Sequence, residues 1–145
     1  MRQPCLVAVA LLTLACGRGS ADPGTGFTSV ATTRDLMDGI VIPYSQTIFE
    51  SVSYENGQLT RAPRNDDDWH QLSVRAASLG EVGNLLMMAP RRKDDGDWIA
   101  IAHRFTLAAA AVAKAADAKD VDGTLLAGGD LYDTCTECHR KYLPQ

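Results

Sequence analysis

Leu131-Tyr132-Asp133-Thr134-Cys135-Thr136-Glu137-Cys138-His139-Arg140-Lys141-Tyr142 is the stretch on which the fold of this chain turns. Read as a helix, it sets Cys138 and His139 three and four residues beyond Cys135, so all three side chains project from one face. Leu125, Leu131 and Cys135 extend the same pattern, and the spacing predicts a helix from about Asp120 to about Tyr142.

Upstream, the chain repeats this behaviour three times. Thr32-Thr33-Arg34-Asp35 has capping-box spacing, with Asp35 in place of the usual Glu. It opens a first helix on which Met37, Ile40, Val41, Tyr44, Ile48 and Val52 share a face. Pro43 removes one backbone hydrogen bond within that pattern and predicts a kink near Val41 to Tyr44. Asn56-Gly57 reads as the stop, and Arg61 to Asp68 as a polar loop whose acidic run is a solvated helix start. Asp68 or a neighbour caps a second helix through Trp69, Leu72, Ala76, Leu79, Val82 and Leu86, ending before Pro90. After the connection Arg91 to Gly96, a third helix runs from about Asp97 through Trp98, Ile101, Phe105, Ala108 and Val112 to about Ala118, its alanines favouring close packing. No segment alternates like a strand over a useful length, and there is no internal repeat. The expected fold is all-α, an antiparallel four-helix bundle over residues 30–145 with the cysteine motif on the C-terminal helix.

The N-terminus reads as an export signal. Met1-Arg2 is a short basic start, and the apolar run Leu6 to Ala15 falls short of the roughly 20 residues that span a bilayer. Leu12-Thr13-Leu14-Ala15-Cys16 resembles a bacterial lipobox, which predicts a signal of residues 1–15 and a lipid anchor at Cys16. Gly19-Ser20-Ala21 offers ordinary cleavage before Asp22 instead, giving a soluble periplasmic product. Residues 16–29 are small and breaker-rich, a flexible tether. The remainder is one domain's length of chain.

Acidic residues number 18 against 14 Lys and Arg, a net charge of −4, which argues against nucleic acid and anionic lipid surfaces as partners. Of four cysteines, Cys5 and Cys16 belong to the export segment, leaving Cys135 and Cys138 in the folded part.

Cys135-Thr136-Glu137-Cys138-His139 matches the c-type haem attachment pattern, in which two thioethers fix the porphyrin and the His ligates iron. Three plainer readings compete. A zinc half-site would need a second Cys or His pair, and none occurs at suitable spacing. A redox Cys-x-x-Cys normally opens a helix in a βαβ context. A disulfide would need neither His139 nor a place late on the last helix.

With that motif on the last helix of an exported four-helix chain, the sequence resembles the class II c-type cytochromes, the cytochrome c′ group. Thr32-Thr33-Arg34-Asp35-Leu36-Met37 is similar to the first-helix segment of its low-spin, Met-ligated branch. The resemblance implies Met37 as the sixth iron ligand opposite His139 and one covalent haem c on Cys135 and Cys138; because members of the family often pair through their first two helices, it leaves a homodimer open. Tyr142 stands where the family usually has an aromatic residue. Leu143 stands where it often has Arg, and Pro43 interrupts a helix that many members keep continuous.

Read from the residues alone, Met37 is a flexible core filler on an apolar stripe. Met87, Met88, His70 and His103 are the other candidate ligands, read as core, loop or surface residues, and Trp69 and Trp98 as anchors of their helices. Arg34 could meet a haem propionate or stay an exposed first-turn charge. No nucleophile triad, phosphate loop or paired catalytic carboxylates are present, so no enzyme is expected. Two functions follow: a single-electron carrier ligated by His139 and Met37 with periplasmic or membrane redox partners, or a five-coordinate haem protein binding nitric oxide or carbon monoxide.

Overall fold

The structure, a computed structural model, describes residues 26–143. The expected signal at 1–15, Cys16 and the tether as far as residue 25 lie outside the described residues. The chain is mostly helical, and four helical stretches pack against one another.

The first stretch begins at α1 (Thr33–Leu36), and its capping box is formed as the sequence predicts. The Thr32 hydroxyl accepts from the Asp35 amide at 3.1 Å, and the Asp35 carboxylate accepts from the Thr32 amide at 2.8 Å. The helix then widens into a π-helical turn over Met37–Val41 before resuming as α2 (Ile42–Phe49). Proline explains the widening. Pro43 carries no amide hydrogen and its ring crowds the preceding turn, and at the junction the Ile42 amide bonds five residues back to the Met37 carbonyl. The expected kink is therefore a change of pitch that starts at Met37.

Two expectations are corrected here. The helix ends at Phe49, and the segment beyond it is a β-hairpin, β1 (Ser53–Glu55) with β2 (Gln58–Arg61), pairing Tyr54 with Leu59 and Glu55 with Gln58. Asn56-Gly57 is its turn: both residues have positive φ, 52° and 76°, the left-handed conformation that Asn-Gly supplies between two strands. Val52, placed on the helical stripe by spacing, is buried but lies between the helix and the hairpin.

The three remaining helices follow the sequence closely. They are α3 (Asp66–Met87), α4 (Asp97–Asp117) and α5 (Val121–Tyr142). Asn65 caps α3, three residues before Asp68, by accepting from the Asp68 amide at 2.9 Å, and Asp66, Asp67 and Asp68 sit in the first turn, where carboxylates complement the helix dipole. Asp120 caps α5 through the Gly123 amide. By length and composition α4 could cross a bilayer, alone among the helices described, yet its apolar face is buried between α3 and α5.

The core is built from Leu36, Val41 and Ile48 of the first stretch, Leu72, Leu79 and Val82 of α3, Phe105, Ala109 and Val112 of α4, and Ala127 and Leu131 of α5. Small residues let α3 and α4 approach. At Gly83 a Cβ would fall 2.1 Å from the Thr106 hydroxyl and 3.2 Å from the Ala102 carbonyl oxygen, so only glycine fits. That closeness brings Phe105 and Trp98 of α4 against the end of α3.

Candidate functional site

The last two turns of α5 bear Cys135, Cys138 and His139. The helix is straightforward here: a capped start, a buried stripe ending at Leu131 and Thr134, and His139, Arg140 and Lys141 in the last turn, where positive charge suits the dipole. Cys135 and Cys138 are free thiols, both half-buried, and His139 is exposed.

These three residues open onto a cavity of about 290 Å³ that Met37 also lines. The first and last helical stretches thus bring all four expected site residues to one space. Around them the lining is mostly apolar, with Val41, Leu86, Trp98, Ile101 and Phe105 among it. The buried Ser45 lines it too, but its hydroxyl is spent on the Val41 carbonyl at 2.6 Å. A wider outer groove of about 850 Å³ shares Met37, Ile42 and His139 with the cavity, and carries Arg34, Arg91 and Lys93. The inner cavity alone stands at the lower limit of ligand sites, roughly 300–1,000 Å³, and the outer groove supplies further room.

Burial raises the Cys135 thiol, with the neighbouring Cys138 adding to the shift, and burial followed by Glu137 raises Cys138. A redox Cys-x-x-Cys needs the opposite, a thiolate stabilised near neutral pH. Zinc fares no better: among the described residues no cluster of three or more His, Cys, Asp or Glu could hold a metal ion. Two thiols three residues apart, an imidazole and a thioether line one largely apolar space, a donor set that could hold a haem. Cys135 and Cys138 would hold it covalently, with His139 and Met37 available to the iron.

Trp98 is more than a helix anchor. Its indole N–H donates to the Leu86 carbonyl at 2.7 Å, which ties α4 to the end of α3, while the ring lines the cavity and meets Tyr142 edge-on at 4.9 Å. Asp94 sets this corner. Its carboxylate accepts from the amides of Gly96 and Trp98 and from the Tyr142 hydroxyl, and these bonds hold its pKa below the usual carboxylate range. The Tyr142 phenol is pushed up to about 12 by burial and by that bond. Sequence reasoning assigned no role to Asp94, although an Asp two residues before Gly96, in Asp94-Asp95-Gly96, is an Asx-turn signal. Trp69 stays in the core away from the cavity, His70 and His103 are exposed, and Met87 and Met88 close α3 without lining the cavity. Arg34 is exposed and pairs with Asp38 at 3.3 Å.

No family model matches the chain, and no curated protein or solved structure shows significant similarity to it.

Proposed function

We propose that this protein is a monohaem c-type cytochrome that carries single electrons and performs no catalysis of its own. One observation carries the reading: Cys135, Cys138 and His139 share a largely apolar cavity with Met37, a thioether delivered from the first helical stretch, far away along the chain. A bound haem c supplies a one-electron iron couple. The chain's part is to hold the haem through both cysteines, to present His139 and Met37 as ligands, and to keep water from the inner face with Trp98, Phe105 and Leu86.

The helical stretches are read as an antiparallel bundle. Trp98 meets Leu86, Gly83 abuts Phe105 and Gly80 abuts Thr106, numbers that fall along α3 as they rise along α4. Asp97 with Lys141 and Arg104 with Glu137 relate α4 to α5 in the same way. Reading residues 1–15 as an export signal supports a periplasmic protein, soluble or lipid-anchored at Cys16, with periplasmic or membrane redox proteins as partners and its oligomeric state left open between monomer and homodimer.

The test is the absorption spectrum of the reduced protein, expressed with haem-attachment machinery and recorded before and after carbon monoxide. Covalently retained haem bands that carbon monoxide leaves unchanged are expected. Absence of such bands would remove the haem reading, and prompt conversion to a carbon monoxide complex would put gas binding in place of electron transfer.

A further inference from the structure

Arg91 reads in sequence as one residue of a connecting loop, yet it is among the most buried charged groups described, with 8% of its surface exposed. Its Nε donates to the Ala31 carbonyl at 3.1 Å. Among the described residues no carboxylate lies within ion-pair distance of its guanidinium, whereas Arg34, Arg92 and Arg104 are paired with Asp38, Asp95 and Glu137. A charge taken out of water without a counter-charge is costly, and a guanidinium fork matches a carboxylate in geometry. Arg91 lines the outer groove beside Lys93, and that groove shares Met37 and His139 with the inner cavity. The other charged groups lining it are Arg34 and Asp38, already paired with each other, beside the imidazole of His139.

We infer that Arg91, flanked by Lys93, is a carboxylate-binding position, and that it receives the propionate groups of the haem. The inference rests on the haem reading above and deepens it: the apolar cavity takes the ring, and the basic groove neutralises the only acidic part of the cofactor. It also assigns this task to a loop residue rather than to Arg34 of the first helix.

Reduction potentials measured against pH on full-length holoprotein test this, using wild type, Arg91→Gln, Arg91→Lys and Lys93→Gln, with haem attachment verified by mass. A propionate held by Arg91 stays ionised through the range where free carboxylates titrate, about pH 4–5, so the wild-type potential is flat there. In Arg91→Gln the propionate pKa rises, and the potential climbs as pH falls through it. Arg91→Lys retains the flat profile in part, and Lys93→Gln shows a smaller step in the same direction. An Arg91 that merely pins the Ala31 carbonyl would leave the pH profile unchanged, and coincident wild-type and Arg91→Gln curves overturn the inference. If Arg91→Gln does not fold, an unchanged Lys93→Gln curve overturns it equally. A wild-type potential displaced by added inorganic phosphate would mean that a free anion occupies the position, which also defeats the propionate assignment. Wild-type protein without haem would remove the haem reading and this inference together, while attached haem with flat variants removes this inference alone.

Discussion

Gly80 and Gly83 lie one turn apart on α3, both buried and both facing α4, and alanine at the two positions should act with opposite sign. In a helix interior alanine is favoured over glycine by about 1 kcal/mol. At Gly80 the new methyl meets only the Thr106 carbonyl oxygen at 3.7 Å and the Ala109 Cβ at 4.0 Å, ordinary contacts, so Gly80→Ala should stabilise by about 0.5–1 kcal/mol. At Gly83 the methyl falls 2.1 Å from the Thr106 hydroxyl, 3.1 Å from Phe105 and 3.2 Å from the Ala102 carbonyl. Thr106 can rotate only by giving up its bond to the Ala102 carbonyl at 3.0 Å, and that carbonyl can move only with the α4 backbone. Overpacking costs about 1–3 kcal/mol, and with three contacts this short, one of them to backbone, the upper part of that range applies, about 2–3 kcal/mol; less the helix preference of about 1 kcal/mol, a net loss of about 1–2 kcal/mol remains. Thermal unfolding followed by circular dichroism should raise the midpoint by roughly 2–4 °C for Gly80→Ala and lower it by roughly 4–8 °C for Gly83→Ala. Equal shifts, or stabilisation by both, would refute the reasoning that interhelical distance dominates at Gly83.

Met37→Ala should convert the reduced protein from one that ignores carbon monoxide to one that binds it promptly and near-stoichiometrically, with a lowered reduction potential, as read by optical titration. Thr32→Ala removes the capping hydroxyl from the segment that carries Met37 and should cost about 1 kcal/mol in urea unfolding. Tyr142 should titrate at about 12 by tyrosinate absorbance, and Asp94→Asn should bring it down. Its raised pKa favours the neutral phenol. The contribution to stability is therefore complete below the ordinary phenol value of about 10 and is lost as pH rises from there to about 12.

Much of the fold was legible because it depends on near neighbours. The Thr32 and Asp35 capping box, the start of α5 at Asp120 and the stop before Pro90 involve residues within a turn of one another, and the structure forms each where the sequence places it. The hairpin was missed for a reason equally local. Its strands are three and four residues long and largely exposed, so no buried alternation marks them, and Asn56-Gly57 serves a helix stop as readily as a tight turn. Pro43 signals a disturbed helix, but a missing amide hydrogen can be met by a kink or by a widened turn, and the residue type alone does not choose the π turn over Met37–Val41.

The sequence by itself determined the helices and the motif, for Cys135, Cys138 and His139 share a face through a spacing of three and four residues and need no other part of the chain. Tertiary structure decided everything that joins distant segments: Met37 beside the cysteines, Trp98 as a cavity wall tied to Leu86, Gly83 beneath Thr106, and Arg91 buried against the Ala31 carbonyl. The physical reason is that burial and approach are properties of two packed surfaces. A side chain's own neighbours in sequence fix the direction in which it leaves its helix, but the helix packed against it fixes what it meets.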